Sequence, residues 1–159
     1  EGLKNWRFKL IVSLLERDKE SFEKLQRKAK GYPIEFLVNI PRKAVLKEYS
    51  LAKIYWHASG YGEDLQKNPE KAEHFGIAVV EAMSHGAVPV VINAGGLKEI
   101  VEHSNNGFLW NTTEELKKFT LQIIKNQSLF EKLSNEACTN LKKFDIDRFC
   151  REINNLVMS

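Results

Sequence analysis

The sequence predicts an α/β protein, built as a parallel, doubly wound sheet with helices on both faces. Three observations carry that expectation. Short apolar, β-branched runs alternate with longer stretches whose apolar residues recur at helical spacing. The interval between runs suits right-handed βαβ crossovers. One run, VPVVI at residues 88–92, is the most apolar strand candidate of the chain.

The elements follow in order. Residues 7–15 (RFKLIVSLL) form a short apolar run. A charged stretch follows, with helical spacing at Phe22, Leu25 and Ala29, and Gly31-Tyr32-Pro33 stops that helix. Residues 34–40 (IEFLVNI) read as a strand, and Pro41 suits the first turn of a helix over RKAVLKEYSLA. Residues 53–58 (KIYWHA) give the next strand, rich in β-branched and aromatic side chains. Gly60, Gly62 and Pro69 mark a loop. Residues 75–85 (FGIAVVEAMSH) are helical in period, with Gly86 at the C′ position. After VPVVI, Gly95-Gly96 opens a helix over LKEIVEH, and residues 107–110 (GFLW) form a short strand. Thr112 and Glu115 make a capping box before LKKFTLQIIKN. Two amphipathic helices finish the chain, with apolar stripes at Leu129, Leu133, Ala137, Leu141 and at Ile146, Phe149, Ile153, Leu156.

Composition narrows the class. The 159 residues suit one domain over positions 1–159, and 43% hydrophobic with 28% charged residues is a globular balance. No apolar run approaches the ~20 residues that span a bilayer. The opening EGLKNWRFKL lacks an apolar signal core, and the absence of an initial Met suggests an excised piece, expected to be cytoplasmic. Cys138 and Cys150 show no disulfide or zinc spacing and read as core-side thiols in a reducing compartment. Residues 1–53 carry 13 Lys and Arg against 7 Asp and Glu. That basic front suits a membrane surface, a phosphate-bearing ligand, or simply a solvated helix face. Nucleic acid is disfavoured, since no basic stripe interleaved with aromatics occurs.

In a doubly wound sheet, ligands bind at the carboxyl ends of the strands. Three features fall there. Glu73-His74-Phe75-Gly76-Ile77 lies where a loop becomes a helix, and a helix start offers free N–H groups to an anion. Gly76 permits close approach of a ligand to the backbone. Glu81 follows Glu73 by eight residues, about 12 Å along one helix, with both on related sides. That layout suits a sugar nucleotide, with hydroxyls at both ends and a diphosphate between. Gly95-Gly96 provides a second glycine-opened helix start, or simply a turn. Glu81 sits among apolar neighbours, so it needs a partner or ligand unless it is exposed. Glu73 reads equally as an acid favoured by the helix dipole. His57 near a strand end either lines the pocket or packs there. His85 reads as structural, and the histidines have no metal-ligand spacing, so no metal is assigned. The sequons at Asn111 and Asn126 read as chance matches, and no G-x-G-x-x-G, P-loop or G-x-S-x-G motif is present.

The stretch EHFGIAVVEAMSHGAVPVVINAGGLKEIV resembles the signature of the retaining glycosyltransferases of family 4, which have the two-domain, Rossmann-like GT-B architecture. The resemblance is strong over residues 53–110 and agrees in element order from Trp6 to the end. It is closest to bacterial and asparagine-linked-glycan mannosyltransferase-like members. The resemblance implies the donor-binding C-terminal domain of an enzyme moving a hexose from a GDP- or UDP-sugar to a hydroxyl acceptor. Glu73 would be the catalytic residue, facing the donor sugar, contacting its hydroxyls and supporting the oxocarbenium-like transition state. His74, Phe75, Gly76 and Ile77 would line the sugar and diphosphate, with Gly95, Gly96 and His57 beside them. Glu81 would hold the ribose, and Asn39 and Ile40 would lie near the base. No divalent metal or other cofactor is implied.

The family's domain starts with one more strand and a loop whose Arg and Lys grip the diphosphate. No residue here matches that strand or that pair, and the acceptor-binding N-terminal domain is missing. The isolated chain is therefore expected to bind donor weakly and catalyse little, and the last helix to expose its apolar stripe. In the full enzyme, peripheral contact with the cytoplasmic membrane face is expected. Two alternatives remain: a catalytically silent sugar-nucleotide-binding or interaction module, and a GT-B nucleotide-sugar epimerase.

Overall fold

A computed structural model describes residues 5–158; the first four residues of the EGLKNWRFKL stretch lie outside them. The chain divides into two compact units, Glu1–Lys47 and Glu48–Ser159. Among the described residues all strand pairing is parallel, in three ladders that form two separate sheets.

In the first unit, β1 (Phe8–Val12) pairs with β2 (Ile34–Val38), from Phe8 opposite Ile34 to Val12 opposite Val38. A 3-10 turn at Glu16–Asp18 leads into α1 (Lys19–Ala29). Phe22 of α1 meets Phe36 of β2 edge-on, with ring centroids 5.4 Å apart. The opposite face of α1 is solvated and laced by Glu20–Lys24 and Glu23–Arg27 pairs four residues apart.

β2 ends two residues sooner than the sequence suggests, because Asn39 adopts a left-handed φ of 51°. Its side-chain amide then imitates a strand neighbour. The Leu14 N–H donates to Asn39 Oδ1 at 2.8 Å, and Asn39 Nδ2 donates to the Leu14 carbonyl at 3.2 Å. Such local side-chain-to-backbone bonds are what Asn offers at turns. α2 (Arg42–Leu51) follows directly after Pro41.

The second unit holds a sheet in the order β3 (Ile54–His57), β4 (Val88–Ile92), β5 (Phe108–Trp110). All five residues of β4 are buried. Successive strand residues point to opposite faces, so both faces of this sheet are covered. α3 (Ile77–Ser84), α5 (Thr113–Lys125) and α6 (Gln127–Asn140) all pack against β4. Val79 and Met83 of α3, Phe119 and Ile123 of α5, and Leu133 and Ala137 of α6 fill the core around it. The capping box forms as expected: Thr112 Oγ1 accepts the Glu115 N–H, and the Glu115 carboxylate accepts the Thr112 N–H in return.

α4 (Leu97–Ile100) is shorter than the suggested 97–103, because Val101 turns extended. The cysteines correct the core-side expectation. Both Cys138 and Cys150 are exposed; Leu133 and Ala137 take the buried stripe of α6, which leaves Cys138 one position off it. α7 (Ile146–Met158) has no buried residue and exposes Ile146, Phe149, Ile153 and Leu156. Among the described residues, no helix is long and apolar enough to cross a membrane.

Candidate functional site

The carboxyl ends of β3 and β4 converge on one turn. His57 closes β3, and the residues after β4 lead to Gly95 and Gly96. Between them runs Glu73–Gly76, which opens α3. Gly76 has φ 91°, a left-handed conformation that halts the chain before the helix begins at Ile77. A Cβ there would meet Leu97 Cδ2 at 2.8 Å, the movable end of a side chain, so it is the conformation above all that calls for glycine. This corrects the expectation that Glu73 and Glu81 share a helix. Glu73 lies in the turn, so the helical estimate of about 12 Å does not apply.

Glu73 is held at three points. Its carbonyl accepts the Gly96 N–H at 2.9 Å. One carboxylate oxygen, Oε1, accepts the Gly76 N–H at 3.2 Å, and the other, Oε2, lies 3.3 Å from His57 Nε2. Gly95 and Gly96 pack directly under this turn. A Cβ on Gly95 would run into the Glu73 carbonyl, and one on Gly96 into that of His74. The Gly96 amide is thereby consumed by protein, and α4 is a single turn. The glycine pair therefore supports the Glu73 turn.

At the start of α3 the Val79 and Val80 N–H groups turn back to the Gly76 carbonyl, at 2.9 and 3.1 Å. The N–H groups of Ile77 and Ala78 have no partner among the described residues, and no side chain caps the helix. Two free donors at a positive dipole end make a place for an anion. Phe75 and Ile77 are exposed at this mouth, and Phe75 meets Phe144 edge-on at 5.4 Å. His74 is exposed beside them. Glu81 is half-buried on α3, and its carbonyl anchors Ser84 Oγ and His85 Nδ1, which gives His85 its structural role. Asn39 and Ile40 belong to the first unit, where Leu14 occupies the Asn39 amide.

Sequence reading missed Tyr55. It stands two residues before His57 on β3, and strand alternation puts both on one face. Burial, then the neighbouring Tyr49, then the negative charges of Glu73 and Glu81 push the Tyr55 phenol far above its usual range. It stays neutral at every working pH. His57 is moved the other way: burial lowers it below 6.5, and only partly does Glu73 restore the charged form. The contact with Glu73 is thus a hydrogen bond from a neutral ring at neutral pH.

A neutral ring in the fold and a freely titrating one in the unfolded chain give stability a definite sign. The unfolded state binds the extra proton, so stability present above about pH 6.5 is lost as pH falls. Denaturant titrations from pH 7.5 to 5.5 are expected to show falling stability, with a shallower slope in His57→Gln. Equal slopes would contradict the burial of this ring. Among the described residues, no three His, Cys, Asp or Glu side chains gather as metal ligands.

Comparison with solved structures defines the class. Anabaena HepE in complex with UDP and glucose matches with a TM-score of 0.79 and 22% identity, over 96% of this chain and 40% of that one. The C-terminal domain of LpcC, a glycosyl transferase group 1 family protein of Francisella tularensis, matches with a TM-score of 0.75 and 21% identity, over 89% and 71%. The fold is that of a GT-B glycosyltransferase domain.

The family model for glycosyl transferases group 1 matches residues 5–139, and the chain belongs to that family. An uncharacterized glycosyltransferase of Haemophilus influenzae is 31% identical over 93% of this chain and 39% of its own length. The GDP-Man:Man(3)GlcNAc(2)-PP-Dol alpha-1,2-mannosyltransferase of Dictyostelium discoideum is 35% identical over 50% of this chain and 16% of its own. The chain therefore spans well under half the length of these curated relatives.

Proposed function

We propose that this chain is the donor-binding part of a retaining glycosyltransferase and takes a nucleoside-diphosphate hexose at the carboxyl edge of the β3–β4–β5 sheet. The observation that carries the reading is the Glu73 carboxylate, fixed beside the two free N–H groups that open α3. The diphosphate would sit on those donors, Glu73 would meet the sugar hydroxyls, and Glu81 would hold the ribose. Charge developing on the departing diphosphate would be met by preoriented N–H groups, without a divalent metal. The relative in Dictyostelium carries GDP-mannose in its name, and HepE was solved with UDP; either base suits the reading. Acceptor binding would fall to a separate domain, so this chain alone would transfer little. We place the enzyme on the cytoplasmic side, with peripheral contact to the membrane.

Calorimetric titration with GDP, UDP, GDP-mannose and UDP-glucose, with and without EDTA, tests this. One base is expected to bind, to survive EDTA, and to weaken about tenfold in Glu81→Ala, the loss of one hydrogen bond to a charged group. Silence from all four ligands, repeated on a chain extended upstream by one strand and helix, would overturn the reading.

A further inference from the structure

We propose that His57 is a positioning residue for Glu73: a neutral imidazole, protonated on Nε2, that fixes the direction in which the carboxylate faces the opening of α3. The consequence for the donor rests on the proposed donor-binding function; the geometry stands without it.

Each atom of the pair has one workable assignment. Glu73 presents two oxygens to two donors on different elements, Gly76 N–H at 3.2 Å and His57 Nε2 at 3.3 Å. A carboxylate only accepts, so the ring nitrogen that faces it must donate. The other ring nitrogen, Nδ1, is buried and has no hydrogen-bond partner among the described residues. A proton there would be a buried donor with nothing to receive it, which is costlier than a bare lone pair in the same place. The tautomer is therefore Nε2–H. Burial also disfavours a second proton, so the ring remains neutral.

The imidazole is itself packed in place. Its side chain is only 13% exposed, and its backbone pairs with Val91 of the central strand β4 at the end of their ladder. On its own strand face stands Tyr55, hydrogen-bonded to Tyr49 and neutral. The Gly96 bond fixes the main chain of Glu73, and without His57 its carboxylate would keep only the Gly76 donor. One bond leaves the carboxylate free to swing, whereas two donors from separate elements set its plane.

The test is nuclear magnetic resonance on the whole chain. Long-range nitrogen–proton correlation of the ring at pH 7.5 should show the neutral Nε2–H form; a proton on Nδ1, or a cationic ring, would overturn the proposal. The Gly76 amide proton reports the carboxylate orientation. His57→Leu should move that resonance most of the way to its position in Glu73→Ala. His57→Gln, which restores an N–H at similar reach, should bring it back. A Gly76 amide indifferent to His57→Leu would overturn the proposal, as would equal movement in both variants, which would mean packing alone. If His57→Leu fails to fold, the ring tautomer and the Gln variant still decide. Titrations with nucleoside diphosphate and with its sugar conjugate form a separate arm. His57→Leu should erode the extra affinity gained from the sugar and leave that of the diphosphate unchanged. Failure of the unsubstituted chain to bind any nucleotide would overturn the donor-binding function, while the ring tautomer and the Gly76 shift would still decide the role of His57.

Discussion

Gly96→Ala is expected to destabilise the second unit by about 3 kcal/mol or more, the upper range for overpacking, and to eliminate donor binding with it. Gly96 has an ordinary φ, −70°, so the damage comes from space alone. An added Cβ would overlap the His74 carbonyl oxygen and come within 2.7 Å of its carbon and 3.3 Å of Phe75 Cα. These are backbone atoms and no rotamer change relieves them. The turn would have to lift, which breaks the Gly96-to-Glu73 bond and removes Glu73 from its two donors. Gly62 supplies the contrast. It has φ 81° but nothing within 4 Å of a Cβ, so Gly62→Ala should cost only the left-handed strain of about 1 kcal/mol. Urea unfolding followed by tryptophan fluorescence measures both. A Gly96→Ala midpoint close to that of Gly62→Ala would show that the turn does not rest on the glycine pair.

Trp110→Ala is expected to cost about 4 kcal/mol, within the range for truncating a buried aromatic. Trp110 is 1% exposed and the largest of the fully buried side chains. It pairs with Ile92 in the ladder, donates its indole N–H to the Val90 carbonyl at 3.3 Å, and meets Tyr61 at 5.2 Å between ring centroids. The loss approaches the whole stability of an ordinary domain, about 5–15 kcal/mol. Trp110→Phe keeps most of the volume and loses the indole donor, so about 1–2 kcal/mol is expected. Guanidinium titrations followed by circular dichroism should separate the two by their midpoints. Near-equal midpoints would mean that the surroundings collapse into the cavity, and would contradict the large cost expected for losing Trp110.

What the sequence made legible was local. The capping box at Thr112 and Glu115, the C′ glycine at Gly86 with φ 85°, and the uniformly apolar β4 all act through near neighbours in the chain. The order of elements followed from their periodicity. The acid-bearing turn was found as well, because its residue types and the glycine at its end are contiguous. Tertiary arrangements were not legible. Nothing local to Gly95-Gly96 says that its missing side chains make room for the backbone of Glu73 and His74. The Asn39 amide is committed to Leu14, 25 residues earlier, which spacing does not reveal. Cys138 was misplaced because a one-residue step on a helix turns a side chain through about 100°, off the core stripe to its edge, where the residue is exposed while its Sγ donates to the Met83 carbonyl at 3.2 Å. Tyr55 carried a signal, its alternation with His57, whose meaning needed Glu73 and Glu81 to be close by.

The two units differ sharply in how much apolar surface they withdraw from water. Ala29 is the only buried hydrophobic residue among positions 5–47, whereas β4 and its helices enclose a continuous cluster in the second unit. Cooperativity follows burial, so two thresholds of opening are expected. The β1–β2 pair should open at the lower one, and its amides should exchange with solvent first. The β3–β4–β5 ladder should open only when its cluster is lost. Glu73, His57 and Gly96 all lie in the second unit, so the acid is expected to keep its orientation when the first unit opens.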